Sequence, residues 1–335
     1  MASLKISQFV EKALFDESRG YYRTKNPLGK NSDFITAPEI SQTFGESIAL
    51  YLLQIFSHKK EKISLVEMGA GRGVMMFDIL NSIKKLAEKQ NPQALDFLEC
   101  ASFHIIEINE VLVKIQQEKL CDFNVKWHKN FSDFEKISDK IFFISNELFD
   151  CFPIDQFVLT EIGWRERIIV NKNFTFAPFE KKIHNFVEQE IATLAPIGAV
   201  FEYSKTARDF MNELCATLKN KGGIAINFDY GYFKNEFANT LQALKNHKKT
   251  DIFEEGCDIT AHVDFGTLDK ITKDYSLNSS LITQREFLIS LRINDRKKNL
   301  IEKNPQLEAE INSAINRLID VNQMGELFKC HIIWK

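Results

Sequence analysis

The chain has 335 residues, of which 44% are apolar and 27% are charged. This composition is typical of a folded protein with a substantial core, and it excludes an intrinsically disordered chain. The 43 basic and 46 acidic residues give a net charge of −3. Such a balance provides no overall attraction for phosphate backbones or anionic lipids, so we expect neither a nucleic-acid nor a membrane partner.

Targeting and metal signals are equally sparse. No apolar stretch approaches the ~20 residues that a membrane-spanning helix needs. The N-terminus soon meets Glu11, Asp16 and Glu17, which is typical of neither a signal peptide nor a transit peptide. The six cysteines form no CxxC pair, and the seven histidines lack metal-ligand spacing. We therefore expect a cytoplasmic protein with reduced thiols and no metal site; the oligomeric state is not indicated.

The first 60 residues predict a helical segment. A helical period runs through residues 3–15, and a polar, glycine-containing loop follows at 18–36. Pro38 marks the start of a second helix, which we expect to run to about Phe56. The polar residues 31–41 are a candidate lid over a ligand, with an ordinary loop before a helix as the alternative.

Strand-like apolar runs then alternate with helical patterns, which predicts an α/β fold with a parallel sheet between two helical layers. The predicted strands are 63–67, 103–107, 124–127, 140–145, 224–228 and 327–334. The predicted helices between them are 74–87, 111–120 and 205–218. The alternation is interrupted by a hairpin and a helix, which we interpret as an insertion at about 156–197. It is interrupted again by a mostly helical region at about 235–325, with helices near 262–274, 284–292 and 306–321.

A glycine-rich turn follows the first predicted strand. Glycine at 69, 71 and 73 permits a sharp strand-to-helix turn without side chains that would block a ligand. The nicotinamide fingerprint GxGxxG would require a third glycine where the chain has Val74, which disfavours a dinucleotide. S-adenosylmethionine (SAM) has no pyrophosphate but carries an ammonium group, which the carboxylate of Glu67 can balance. The turn therefore favours a SAM site, with other glycine turns as the alternative.

A second acid strengthens this interpretation. Glu107 ends the next predicted strand, where a carboxylate can accept both ribose hydroxyls of a nucleoside. It lies 38 residues beyond Gly69, a longer spacing than in the dinucleotide motif, because a helix and a loop intervene. The alternative is an acid that faces solvent at a strand end.

The turn after the strand at 140–145 is a candidate acceptor site. It contains Asn146 and two carboxylates, Glu147 and Asp150, but no proline pair of the kind found in adenine methyltransferases. Paired carboxylates can hold a guanidinium in bidentate hydrogen bonds and orient one nitrogen toward the methyl group. The alternative is structural: Asp150 caps the next turn, and Glu147 pairs with an arginine.

One histidine is a candidate base. His262 follows Thr260, which we expect to start a helix, and an imidazole there can exchange protons near neutral pH. A structural histidine at a helix start is the alternative. Two further acids, Asp229 and Asp258, lie near these segments, and the sequence does not decide whether they contribute.

Motifs along almost the whole chain resemble the MidA-like family of SAM-dependent methyltransferases. The resemblance is carried by SDFITAPEISQTFGE (32–46), EMGAGRG (67–73), DIL (78–80), NELFDCFPIDQ (146–156), FDYG (228–231), DITAHVDF (258–265), TQREFL (283–288) and MGELFK (324–329). It implies a Rossmann-like class I methyltransferase fold with an N-terminal helical segment and family-specific insertions. It also implies methylation of a protein arginine, with a subunit of respiratory complex I as the expected partner. Ala70 replaces a common proline, and 255–258 is an altered proline-glycine turn.

These observations define one leading hypothesis, a SAM-dependent methyltransferase domain over residues 61–335. The candidate cofactor-binding residues are Glu67, Gly69, Ala70, Gly71, Gly73, Glu107 and Asn146, and the candidate catalytic residues are Glu147, Asp150 and His262. The alternatives are a non-catalytic complex I assembly factor that retains SAM binding, a small-molecule methyltransferase and a nicotinamide oxidoreductase.

Overall fold

The computed structural model describes residues 3–24, 36–56, 61–134, 137, 139–191, 194–234 and 237–335. Among these residues, none of the helices combines the length and apolar character that crossing a bilayer requires.

Strands and helices alternate through most of the described chain. The strands are β1 Leu4–Lys5, β2 Ile63–Met68, β3 Ala101–Ile106, β4 Val125–His128, β5 Lys140–Asn146, β6 Asp155–Thr160, β7 Gly163–Val170, β8 Asn173–Phe176, β9 Val200–Tyr203, β10 Gly223–Tyr232, β11 Gln242–Lys245, β12 Lys248–Thr250, β13 Asp258–Thr260, β14 Val263–Asp264, β15 Asn278–Thr283 and β16 Phe328–Trp334. The α-helices are α1 Ile6–Phe15, α2 Tyr21–Thr24, α3 Ala37–Ile40, α4 Thr43–Ile55, α5 Val74–Glu88, α6 Pro92–Cys100, α7 Glu110–Lys119, α8 Phe131–Phe134, α9 Lys181–Glu190, α10 Lys205–Lys221, α11 Phe265–Asp274, α12 Gln284–Ser290, α13 Ile293–Lys303, α14 Glu308–Ile319 and α15 Met324–Leu327.

The central sheet has the order β15-β16-β10-β5-β2-β3-β4, with β14 paired to the end of β10. Strands β10, β5, β2, β3 and β4 run parallel, and β16 is antiparallel to both of its neighbours. The α/β prediction is confirmed. The chain leaves β2 toward β3 on one side and later returns to β5 on the other. The carboxyl ends of these strands therefore open a crevice at the switch point.

Helices cover both faces of this sheet. Successive residues of a strand point to opposite faces, so Leu65 packs into the core under α4 and α5, whereas Val66 packs into the core under α10 and α11. Burial on both faces explains why β2, β5 and β10 are near-continuous apolar runs in the sequence.

The N-terminal segment differs in detail from its prediction. The helix expected from Pro38 to about Phe56 is divided into α3 and α4, because the backbone of Ser41 is extended. The hydroxyl groups of Ser41 and Thr43 form a hydrogen bond of 2.8 Å at this break. The loop expected at 18–36 contains α2. Residues 25–35, which include much of the candidate lid, lie outside the described residues.

The interruption after β5 forms a second, antiparallel sheet. Its order is β1-β7-β6-β9, with β8 also paired to β7, so the N-terminal strand β1 joins the hairpin predicted at 156–170. The expected helix is α9, and β9 then closes the sheet against β6.

The region at 235–325, predicted to be mostly helical, contains the three predicted helices as α11, α12 and α14. It also contains the five strands β11–β15. Strands β12, β11 and β13 form a small sheet that packs against α1, with Val10, Leu14, Ala243 and Ile259 in a shared core. This core places the small sheet beside the carboxyl edge of the central sheet.

Candidate active site

A cavity of about 630 Å³ lies at the carboxyl ends of β2, β3 and β5. We call the part lined by residues 67–72 and Glu107 the cofactor half. The acceptor half is the part lined by residues 146–148 and 150–152, Tyr230 and Asp258. Every candidate site residue from the sequence lines this cavity except Gly73, which lies at the end of the glycine turn where α5 begins.

The glycine turn has a backbone that only glycine adopts without strain. Gly69, Gly71 and Gly73 have φ angles of +70°, +53° and +73°. A Cβ atom at position 69 would lie 3.2 Å from Cδ1 of Leu148, and one at Gly73 would lie 3.2 Å from Cγ of Gln116. The turn therefore needs glycine both for its backbone conformation and for its close packing against other segments.

Glu67 is a buried acid that faces the cofactor half. The backbone amide of Met76, in the first turn of α5, donates a hydrogen bond to its carboxylate. Its Oε2 atom has no hydrogen-bond partner among the described residues. Burial, together with the nearby acids Glu107 and Asp78, raises the pKa of Glu67 well above its ordinary value. A cationic group in the cavity would stabilise the ionised form.

Glu107 is held in place by neutral donors. Its Oε1 accepts the backbone amide hydrogen of Asn109 at 2.9 Å, and its Oε2 accepts a hydrogen bond from Nε2 of Gln116 at 3.3 Å. Gln116 is fully buried, and the same Nε2 donates to the carbonyl of Gly71 at 2.7 Å. The sequence reasoning missed Gln116; its position on the apolar face of α7 was the available signal.

Asn146 and Glu147 form the start of the acceptor half. Glu147 has a left-handed backbone with φ +52°, and its Oε1 accepts a hydrogen bond from Nδ2 of Asn146 at 3.1 Å. The Oδ1 atom of Asn146 has no hydrogen-bond partner within the described part of the chain. Burial, and then the charge of Asp150, raises the pKa of Glu147 to about 8.

Asp229 fixes the turn that follows Glu147. Its Oδ2 accepts the backbone amide hydrogens of Leu148, Phe149 and Asp150 at 3.1, 2.8 and 3.2 Å. Burial raises the pKa of Asp150 to about 6, although a hydrogen bond with Tyr230 opposes the shift. Among the described residues, Oδ1 of Asp150 has no hydrogen-bond partner. Asp229 therefore positions the turn, and Asp150 presents an oxygen to the acceptor half.

His262 lies in the same cavity, but the prediction of a helix start at Thr260 is wrong. Thr260 belongs to β13, where it pairs with Gln242, and α11 begins only at Phe265. Pairing with β11 overrides the local helix-start signal. The ring of His262 meets that of Tyr230 edge to face, with centroids 5.4 Å apart.

Two cavity residues from distant segments complete the acceptor half. The hydroxyl of Tyr22 donates a hydrogen bond of 2.7 Å to Oδ1 of Asp258. These residues are 236 positions apart in the sequence, so no local pattern could have paired them.

The described residues contain no group of three or more potential ligands that could hold a metal ion.

Comparison with known proteins defines the class. A family model described as "Putative S-adenosyl-L-methionine-dependent methyltransferase" matches residues 47–283. The chain belongs to this family, the MidA-like methyltransferases, and it is a SAM-dependent methyltransferase whose cofactor is SAM.

Similar proteins come from animals and from a bacterium. A Danio rerio protein named "Protein arginine methyltransferase NDUFAF7, mitochondrial" is 28% identical, over 97% of this chain and 82% of its own. The Homo sapiens protein of the same name is 25% identical, over 97% and 78%. A Burkholderia thailandensis crystal structure, titled as a "likely methyl transferase" bound to S-adenosyl-homocysteine (SAH), has a TM-score of 0.84 at 24% identity. It covers 99% of this chain and 88% of its own, and it shows the fold.

The cofactor half fits SAM. The glycines of its turn have no side chains that would block a ligand, and the unpartnered Oε2 of Glu67 provides a negative atom for the ammonium group. Glu107 stands at the end of the neighbouring strand, where a ribose is expected. These are the residues that we expect to hold the cofactor.

Replacing Gly69 with valine should abolish measurable SAH binding, because the branched side chain would enter the cavity and displace Leu148. Isothermal titration calorimetry with SAH measures the effect. The control is Gly198→Val, which imposes similar backbone strain at φ +89° but meets nothing within 4 Å of the added Cβ. Ordinary SAH affinity in Gly69→Val would contradict the assignment of the turn.

Replacing Gln116 with leucine should weaken SAH binding by about 1–2 kcal/mol, since Glu107 and the Gly71 carbonyl each lose a hydrogen bond. Glu107→Ala should weaken SAH binding by about 1–3 kcal/mol. In a protein that already carries Glu107→Ala, Gln116→Leu should weaken SAH binding by less than it does in wild type. The neighbouring exposed Gln117→Leu is the matched control. Strictly additive losses would show that Gln116 does not act through Glu107.

The raised pKa of Glu147 has a consequence for stability. Between about pH 5 and 8 the folded protein holds a proton on Glu147 that the unfolded chain has lost, so the free energy of unfolding falls as pH rises. Glu147→Gln removes this contribution and should gain about 3 kcal/mol relative to wild type between pH 5 and 8. Denaturant unfolding of the cofactor-free protein measures it, with the exposed Glu302→Gln as control. Parallel pH profiles of wild type and Glu147→Gln would contradict this.

Proposed function

We propose that this methyltransferase transfers the methyl group of SAM to the guanidinium of an arginine side chain in a protein. The observation that carries the proposal is the acceptor half itself, in which Glu147 and Asp150 line the same cavity as the glycine turn. Oδ1 of Asp150 is buried without a hydrogen-bond partner among the described residues, and a guanidinium N–H would satisfy it. The names of the similar animal proteins support the same acceptor.

The chain's own residues would bind and orient the acceptor. SAM, when bound, supplies an electrophilic methyl group on its sulfonium. Glu147 and Asp150 hold the guanidinium so that one nitrogen faces the cofactor half, and positioning of this kind supplies most of the acceleration in an in-line displacement. Asp229 contributes indirectly, because its three hydrogen bonds fix the turn that carries both acids.

The reaction also needs a proton acceptor, since an N–C bond replaces an N–H bond. We assign the released proton to Oδ1 of Asp150, whose pKa of about 6 lets it exchange protons near neutral pH. His262 lines the cavity beside Tyr230 and is the second candidate for this role.

We further propose that the acceptor protein is similar to a subunit of respiratory complex I, as the family resemblance implies, and that the reaction takes place in the cytoplasm. The cavity has a volume of about 630 Å³ and must also hold the cofactor. The room that remains suits a side chain of the acceptor protein rather than a larger part of it. The rest of the acceptor protein would then contact the surface around the entrance.

Incubation with labelled SAM and an extract of cells that lack the protein tests the proposal. We expect label in protein, recovered as methylarginine by mass spectrometry. Glu147→Gln should bind SAH within about twofold of wild type, yet lose most of the turnover, because it removes the carboxylate that orients the acceptor. The exposed Glu161→Gln, on the insertion hairpin, should retain full activity.

Other outcomes would redirect the assignment. Label only in small molecules would contradict a protein acceptor, and label on lysine would contradict the guanidinium. SAH binding without any methylated product would favour an assembly factor that retains the cofactor. Full turnover in Glu147→Gln would remove this residue from acceptor binding.

A further inference from the structure

The acceptor half contains a third carboxylate that comes from outside the central sheet. Asp258 is 3% exposed and lines the cavity together with Tyr22. The hydroxyl of Tyr22 donates to Oδ1 of Asp258 at 2.7 Å. One phenol and one acid are therefore paired at the wall that faces the turn after β5.

Two separate segments fix this pair in position. Asp258 begins β13 and pairs with Leu244 of β11, so its backbone belongs to the small sheet. Tyr22 belongs to α2 and stacks on Phe15 at 5.8 Å between ring centroids. The small sheet and the N-terminal helices share one core, which also contains Cys151 from the turn after β5. The Asp258 carboxylate is thus held against the segment that carries Glu147 and Asp150.

The three acids line one cavity, and the effects of their charges agree with this placement. The charge of Asp258 helps to raise the pKa of Glu147, and with Asp150 it helps to raise the pKa of both Tyr22 and Tyr230. Burial is the larger cause in each case. The cavity is lined here by acids and aromatic rings, which together suit a planar cation.

We propose that Asp258 is a third acceptor-binding carboxylate, that Tyr22 positions it, and that the pair makes the acceptor half selective for a guanidinium over a primary ammonium. This inference rests on the proposed function and deepens it. A guanidinium presents five N–H donors around a plane, so it can meet carboxylates on two walls at once. An ammonium is a compact charge on a flexible stem, and it gains less from a second, fixed carboxylate on another wall.

Binding of two small probes to the SAH-loaded protein tests the inference. The probes are N-acetyl-arginine amide and N-acetyl-lysine amide, titrated by calorimetry into wild type, Asp258→Asn, Tyr22→Phe and the double variant. We expect Asp258→Asn to lower the affinity for the arginine probe about tenfold or more, because one charged hydrogen bond is lost. The affinity for the lysine probe should change by less than about threefold. Tyr22→Phe should lower the affinity for the arginine probe by a smaller factor. In a protein that already carries Asp258→Asn, Tyr22→Phe should not lower this affinity further.

Two controls separate selectivity from folding. SAH affinity should stay within about twofold in all variants, because none of them changes the cofactor half. Tyr275→Phe, which removes a phenol hydroxyl from a residue outside the described cavity lining, should bind both probes as wild type does. The ratio of arginine to lysine affinity is the decisive readout, since a general loss of structure would lower both.

The outcomes distinguish this inference from the function on which it rests. Wild-type protein that binds neither probe, or prefers lysine, contradicts the proposed function and the inference together. Arginine selectivity that survives intact in Asp258→Asn overturns the inference alone. Additive losses in the double variant overturn the positioning role of Tyr22, and parallel loss of SAH affinity shows that Asp258 is structural.

Discussion

Uncompensated negative charge in a single cavity is the constraint on which this site depends. The carboxylates that line the described cavity are Glu39, Glu67, Glu107, Glu147, Asp150 and Asp258, and the lysine and arginine side chains that line it are Arg72 and Lys249. Charge that is removed from water without a partner is costly, so burial raises the pKa of Glu147 to about 8 and that of Asp150 to about 6. The ligands relieve this cost, because SAM is cationic and the proposed acceptor is a guanidinium. The charge of the cavity is therefore complementary to both.

The acids are positioned by neutral donors, which hold a carboxylate without cancelling its charge. Gln116 and a backbone amide donate to Glu107, the side-chain amide of Asn146 donates to Glu147, and a phenol donates to Asp258. A buried arginine in any of these places would form a closed ion pair and leave little attraction for a ligand. One cation lies close to a cavity acid, since Arg72, whose side chain is 40% exposed, is 3.7 Å from Glu39.

Local sequence pattern is enough to bring together the candidate residues of the cofactor half, but it brings together only part of the acceptor half, and the reason is sequence distance. The glycine turn and Glu67 are neighbours in one strand–turn–helix unit, and Glu107 follows at the end of the adjacent strand, so local pattern suffices. Strands β11 and β12 are short and largely polar, and they were not predicted, because their pairing depends on each other rather than on apolar alternation. Tyr22 and Asp258 meet only after the N-terminal helices pack on that small sheet.

The two halves of the cavity approach each other closely at Gly69 and Leu148, and this approach adds to the reasons why position 69 is glycine. Leu148 is held by Asp229 through its backbone, and its Cδ1 atom would lie 3.2 Å from a Cβ at position 69. A side chain there would therefore press on the turn that carries Glu147 and Asp150 as well as enter the cofactor half. The glycine pattern is usually explained by the tight turn, by the close approach of the ligand and by the packing of the helix on the strand. In this protein the acceptor turn imposes the same requirement from the opposite side, so the cofactor and acceptor sites are packed as one unit.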